Sequence, residues 1–270
     1  MFHEVQGAPL YCYTGDKTFD PAKPTVVLIH GVLGDHSVWI WQARYLANHG
    51  FNVLAIDLPG HGRSGGEAPA SVEQAAATIA ALLDAAGAQK AALVGHSWGS
   101  LIAMEAAARL KGRVSHLALI GTAAPMKVSP ALIEASQSDP EAALRMINVF
   151  SRSTLASPTG AGLWVYGAST ALGRKVMRGN REVNVFHRGF MACDQYTGGP
   201  AAMAAITCPV LFLLGRLDQM TPPGAAQPLI DAARAAGSSV QVRLLNVGHH
   251  QMTEAPAETL MALQGSLQQK

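Results

Sequence analysis

Gly95-His96-Ser97-Trp98-Gly99 constrains this chain more than any other feature. Ahead of it runs Ala91-Ala92-Leu93-Val94, short and apolar, as a buried strand is. Behind it runs Ser100-Leu101-Ile102-Ala103-Met104-Glu105-Ala106, rich in helix formers. A serine between two glycines at that junction fits a sharp strand-to-helix turn, with the glycines where the turn leaves no room for a Cβ. Gly-x-Ser-x-Gly means little in isolation, but the flanking strand and helix are the context that gives the pattern its meaning.

The rest of the chain alternates in the same way. A hairpin is predicted from 2–6 and 10–13 around Gly7-Ala8-Pro9, and strands over 25–29, 51–56, 90–94, 114–120, 210–214 and 240–245. Helices are predicted over 38–48, over 72–86 with Ser71 as N-cap and Gly87 past the end, over 98–110, near 223–236, and over 256–269 with Pro256 in the first turn. Alternation of this kind implies an α/β fold, a mostly parallel central sheet with helices on both faces. It breaks between about 125 and 205, where helices are predicted over 130–134, 140–150, 161–177 and 182–196. We therefore expect a core of 1–124 and 206–270, and a helical cap of 125–205 inserted before the seventh strand. Such an insertion would cover the carboxyl edge of the sheet, where α/β proteins bind ligands.

Composition narrows the class. At 49% hydrophobic and 14% charged residues, the 270-residue chain has ample core material and little tendency to disorder. A net charge of +2 without a basic stripe argues against nucleic acid as a partner. No apolar window reaches the length of a membrane span; the nearest, around 75–88, is broken by Asp84 and Gly87. Cys12, Cys193 and Cys208 fit buried thiols in a reducing compartment, and Met1-Phe2-His3-Glu4-Val5 lacks the look of a signal peptide, so a cytoplasmic location is expected. The scattered histidines lack zinc-site spacing and Gly60–Gly62 and Gly65-Gly66 make no dinucleotide fingerprint, so neither a metal nor a cofactor is expected.

A serine hydroxyl is a weak nucleophile that needs a base within reach, and the base needs a carboxylate to hold its tautomer. With the serine on a nucleophile elbow, the partners follow in the order acid, then His. The strand at 211–214 runs into Gly215-Arg216-Leu217-Asp218, and the strand at 242–245 into Asn246-Val247-Gly248-His249. Both side chains would lie past the carboxyl ends of their strands, on the same rim as Ser97.

With those residues in order, the chain resembles the α/β-hydrolase fold family in its lid-bearing form. The likeness covers all but the cap. It is carried by His30-Gly31-Val32-Leu33-Gly34, Asp57-Leu58-Pro59-Gly60-His61-Gly62-Arg63-Ser64, Gly95–Gly99, Gly215-Arg216-Leu217-Asp218, and Gly248-His249 followed by Glu254-Ala255-Pro256. The resemblance implies Ser97 as nucleophile, Asp218 as orienting acid and His249, rather than its neighbour His250, as base. It implies an oxyanion hole from the backbone N–H groups of Val32 and Trp98. His30, His61 and His96 are expected to hold loops rather than move protons. Asp57 and Arg63 are expected to brace the turn after the fourth strand, and Glu254 to brace the His249 loop.

Pocket residues are harder to place. Trp39, Trp41 and Trp98 flank the oxyanion loop and elbow and are candidates, as are Trp164 and Tyr196 in the cap. Met126, Met146, Phe150, Tyr166, Phe186 and Met191 are apolar at helical spacing, so most should pack together and a few should face the pocket. The basic cap residues Arg174, Lys175, Arg178, Arg181 and Arg188 read first as a solvated face, and second as an attraction for a carboxylate-bearing substrate.

The leading expectation is a serine hydrolase, carboxylesterase-like, that cleaves a small carboxylic ester through an acyl-enzyme. An alternative is a carbon–carbon bond hydrolase of ring-cleavage products, although such members often carry Asn where His96 stands. Haloalkane dehalogenases and epoxide hydrolases place Asp at the nucleophile position, so Ser97 argues against both. A perhydrolase or haloperoxidase side activity is a further variant, found mostly in members without a cap. A non-catalytic small-molecule receptor on the same fold is the reading from another class.

Overall fold

A computed structural model describes residues 1–153 and 165–268. Among them, eight strands form one sheet: β1 (Phe2–Val5), β2 (Ala8–Tyr13), β3 (Thr25–Ile29), β4 (Asn52–Ile56), β5 (Ala91–His96), β6 (Val114–Ile120), β7 (Val210–Gly215) and β8 (Val240–Leu245). Their order across the sheet is β1-β2-β4-β3-β5-β6-β7-β8. The β1–β2 hairpin and the β2–β4 pair are antiparallel, and every later pair is parallel. The helices are α1 (Ile40–Asn48), α2 (Val72–Ala85), α3 (Trp98–Leu110), α4 (Pro130–Ser138), α5 (Pro140–Ser151), α6 (Val165–Gly179), α7 (Val185–Gln195), α8 (Gly199–Ala204), α9 (Gln227–Ala235), α10 (Gln251–Glu254) and α11 (Pro256–Leu267). None of them is long and apolar enough to cross a membrane. The expected fold class is the one found. The short helices α8 and α10 were not visible in the sequence, and the first residues of the helix expected from 161 lie outside the described residues.

Strands β3, β4, β5 and β7 are buried at every position, as parallel strands covered on both faces must be. Side-chain alternation divides them between two cores. Val27, Ile29, Leu54, Ile56, Leu93, Leu119 and Phe212 pack with α2 and α3. Val26, Leu28, Val53, Val94, Ile120 and Leu213 pack with α1 and α11 on the other face. A third cluster belongs to the helices between β6 and β7: Leu132, Leu144, Val176, Val185, Phe186 and Phe190 gather around Leu33 of the loop after β3. Three of these helices begin at the caps their sequence supplies. Ser129, Asp139 and Asn184 each accept a hydrogen bond from the amide three residues on.

The site is positioned by topology. β3 has β4 on one side and β5 on the other, so the strand order reverses there, and the loops leaving β3 and β5 flank the crevice that such a reversal opens. Backbone crowding holds those loops together. A Cβ on Gly95 would land on the Gly99 carbonyl and within 2.7 Å of Ser100 Cα, and one on Gly99 would meet the carbonyls of Ile29 and His30. Neither obstacle is a side chain that could swing away. Gly95→Ala is therefore expected to lose about 3 kcal/mol of stability in urea unfolding, and a loss below about 1 kcal/mol would contradict this packing.

Candidate active site

Ser97 joins β5 to α3 at φ 53° and ψ −121°, a conformation that a side chain rarely adopts. The turn is held from several sides. Ser97 N–H donates to Ile120 O at 2.9 Å, and the Ser97 carbonyl accepts from Ser100 N–H at 2.8 Å and Ser100 Oγ at 2.5 Å. Such over-determination lets a strain of about 1–3 kcal/mol persist. The loop after β3 rests on this elbow: a Cβ on Gly31 would stand 3.0 Å from Ser97 Cβ. Trp98 opens α3, so its N–H has no intrahelical acceptor and sits at the positive end of the helix.

His249 and Asp218 converge on the same rim. His249 Nδ1 donates to Asp218 Oδ2 at 2.8 Å, and both residues are 4% exposed. Asp218 Oδ1 accepts from the amides of Met220 at 2.8 Å and Thr221 at 2.9 Å. Thr221 Oγ1 donates to Oδ2 at 2.7 Å and lies 3.1 Å from His249 Nδ1. Burial lifts the Asp218 pKa, but the His249 charge and the hydrogen bonds from His249 and Thr221 outweigh it and hold the carboxyl below its ordinary value. With Nδ1 committed to the acid, Nε2 is the ring nitrogen left for the cavity that His249 lines together with Ser97. Thr221 carries no motif that marks it in the sequence. Its hydroxyl donates to the same carboxylate oxygen that His249 engages.

The His249 loop is clamped at its backbone. Glu254 accepts from the amides of Gly248, His250 and Ser153, each at 3.0 Å. His249 N–H donates to Ser151 O at 2.7 Å, at the end of α5. His96 Nε2–H donates to the His249 carbonyl at 2.7 Å. Burial, and then the neighbouring His249 charge, lower the His96 pKa to about 3, so this ring stays neutral. His30 Nδ1 donates to Gly31 O while its Nε2 accepts from Leu58 N–H, and His61 Nδ1 donates to Pro59 O. Asp57 accepts from the amides of His36 and Arg63 and from His36 Nδ1, which ties the turn after β4.

These histidines carry a pH signature. Burial lowers the pKa of His30, His61, His96 and His250 below the ordinary 6.5, to about 4 for His61. In the folded state they stay neutral where the unfolded chain takes up protons, so their stabilisation is complete above pH 6.5 and is lost as pH falls from there. Asp35, Asp57 and Asp218, lowered from 3.8, add a second loss at lower pH. The urea midpoint should be flat above about pH 7.5 and fall steadily from about pH 6.5. A midpoint that is flat down to about pH 5 would contradict the burial of these rings.

The cavity holding Ser97 and His249 has a volume of about 300 Å³. Its walls are Val32, Met126, Val128, Leu132, Met146, Phe150, Phe190, Cys193 and Met220, with Lys127, Ser129, Gln219 and Thr221 as polar neighbours. Of the aromatic residues expected there, Trp39, Trp41, Trp98 and Tyr196 do not line it. Trp39 is fully buried in the core under α1, and Trp41 on the outer face of that helix is 62% exposed. Tyr196 is buried beside α3, where its hydroxyl donates to Glu105 at 2.7 Å. The Trp98 side chain packs into the core near His61. Trp164 lies outside the described residues. Of the residues singled out between 125 and 205, Met126, Met146 and Phe150 line the cavity.

Other charged groups are engaged elsewhere. Arg174 pairs with Glu141, Lys175 with Asp35 and Arg188 with Glu67. Asp35, His36 and Asp57 bring three donor atoms within 4.8 Å of one another, yet Lys175 Nζ stands 2.8 Å from Asp35 and Asp57 accepts the bonds of its own turn. Cys12, Cys193 and Cys208 are free and buried, and burial pushes their thiols up, Cys208 to about 11.

Residues 24–256 match the family model for the alpha/beta hydrolase fold, and the chain belongs to that family. It is 38% identical over 106 residues to Lipase LipV of Mycobacterium tuberculosis, which covers 39% of this chain and 40% of the relative. The chain spans well under half the length of the curated relatives it matches first. The enol-lactonase from Burkholderia xenovorans LB400 superposes with a TM-score of 0.82 at 21% identity, covering 100% of both chains. The esterase EaEST from Exiguobacterium antarcticum superposes at 0.83 with 18% identity, covering 99% of each.

Proposed function

We propose that this protein is a serine hydrolase that cleaves a small carboxylic ester through an acyl-enzyme, with 125–205 as a cap over the site. The observation that carries the reading is the shared cavity: Ser97, on a strained elbow, and His249, held by Asp218 at 2.8 Å, both line it. Ser97 Oγ attacks the ester carbonyl while His249 Nε2 takes its proton. The same proton then passes to the departing alcohol, and a water activated by His249 releases the acid. Asp218 keeps the tautomer and stabilises the imidazolium without itself taking the proton. The amides of Val32 and Trp98 receive the developing oxyanion. Apolar side chains from Met126, Leu132, Met146, Phe150 and Phe190 would take the hydrocarbon part of the substrate.

A series of p-nitrophenyl esters tests this. Turnover should be highest for short-to-medium acyl chains and fall for long ones, while a vinylogous diketone of the ring-cleavage type should remain uncleaved. Absence of ester turnover, or faster cleavage of the diketone, would overturn the reading.

A further inference from the structure

His249 is held by its ring and also by its main chain, and the second hold comes from the helix that walls the cavity. Ser151 ends α5, and Arg152 and Ser153 follow it along the loop between β8 and α10. Hydrogen bonds join the two segments. His249 N–H donates to Ser151 O at 2.7 Å, Ser153 N–H to Glu254 Oε2 at 3.0 Å, and Arg152 Nη1 to Thr253 Oγ1 at 2.9 Å. Glu254 Oε2 also accepts from Gly248 N–H, so one carboxylate oxygen clasps both segments, while Oε1 takes the His250 amide. Packing adds to this. A Cβ on Gly248 would stand 2.6 Å from Ser151 O and 2.7 Å from Ser153 N. The end of β7 crowds the same glycine, since a Cβ on Gly215 would land 2.1 Å from Gly248 O. Ser151, Arg152 and His249 are all buried. Met146 and Phe150, one turn apart on α5 and leading into Ser151, line the cavity that holds Ser97 and His249.

We infer that Ser151–Ser153, at the end of α5, is a positioning element for the base, which fixes the main chain of His249 relative to the Met146–Phe150 wall of the cavity, with Glu254 as the clasp. Asp218 selects the tautomer; the α5 end sets where the ring stands. Asp218 lies on a different loop, so a shift of the His249 main chain alters the Nδ1–Oδ2 separation as well as the reach of Nε2. A misplacement of about 1 Å at a reacting group can cost about a hundredfold in rate. The wall that receives the substrate and the holder of the base are then one helix. This deepens the ester reading and rests on it only where turnover is measured.

Gly248→Ala and the pair Glu254→Gln and Glu254→Ala test it. Gly248 lies outside the left-handed region, so alanine there brings no such strain and acts as a wedge against Ser151 and Ser153. Glutamine at 254 loses the charge but keeps an oxygen for the Gly248 and Ser153 amides, whereas alanine leaves both without their acceptor. In proton NMR, wild type and Glu254→Gln should show the far-downfield resonance of His249 Nδ1–H, held 2.8 Å from Asp218, and Gly248→Ala and Glu254→Ala should shift or broaden it. With p-nitrophenyl butyrate, kcat should fall at least about tenfold in Gly248→Ala and Glu254→Ala and less than about threefold in Glu254→Gln, with KM within about threefold throughout. A wild-type kcat and resonance in Gly248→Ala, or equal losses in Glu254→Gln and Glu254→Ala, overturns the inference. If Gly248→Ala fails to fold, the Glu254 pair decides alone. A resonance missing from wild type removes the held base that the inference needs and overturns it as well. A resonance that responds as expected in a protein that hydrolyses no ester supports the positioning role and overturns the ester reading; ester turnover untouched by all three substitutions does the reverse.

Discussion

Ser97→Ala is expected to lower kcat for ester hydrolysis by at least about 10⁴-fold, because without Oγ neither the attack nor the acyl-enzyme can form. Some rate above water should remain, since the amides of Val32 and Trp98 would still receive the oxyanion. A loss of less than about tenfold would mean that another group attacks. Ser97→Gly separates chemistry from strain. Ser97 stands at φ 53°, where glycine carries no Cβ penalty. The glycine variant should be as inactive as the alanine variant and yet more stable than wild type by about 1 kcal/mol in urea unfolding. If both variants have the same stability, the elbow does not hold the strain argued for it.

Asp218→Asn is expected to cost about 10⁴-fold in kcat with a much smaller change in KM. The amide occupies the same space, and its oxygen could still accept from the Thr221 and Met220 amides. What it cannot do is hold His249 as the Nδ1–H tautomer while stabilising the imidazolium. The buried pair makes the effect large: at 2.8 Å and 4% exposure, water cannot replace the carboxylate. Thr221→Val loses one of the hydrogen bonds that keep Asp218 below its ordinary pKa, so the Asp218 pKa should rise in that variant. A drop below about tenfold for Asp218→Asn would assign the acid role elsewhere.

The layout of the sheet was legible because parallel strands covered on both faces read as unbroken apolar runs, as at 25–29 and 210–214. The elbow was legible because backbone crowding admits only glycine at 95 and 99. Asp218 and His249 could be placed because each follows directly from a strand that those rules locate. The pocket could not be read in the same way. Trp98 neighbours Ser97 in sequence, but the elbow aims the serine at the crevice and sends the indole into the core. Trp39 and Trp41 differ in fate, fully buried against 62% exposed, because the start of α1 turns them to different sides. Tyr196 found its partner in Glu105, on another helix. A usable signal was present in Gln219 and Met220: residues directly past Asp218 share its rim and line the cavity. The sequence marks Glu254 as a brace, but its grip on three amides, one of them Ser153 beyond α5, depends on how distant segments meet.

The central claim is that Ser97 forms the covalent intermediate. The most direct test is intact-mass and peptide-mass measurement after incubation with a fluorophosphonate, which traps an activated serine. The account predicts one adduct per chain, on the peptide that carries Ser97, and none on Ser97→Ala. An unlabelled wild-type protein, or an adduct on any other residue, would contradict it.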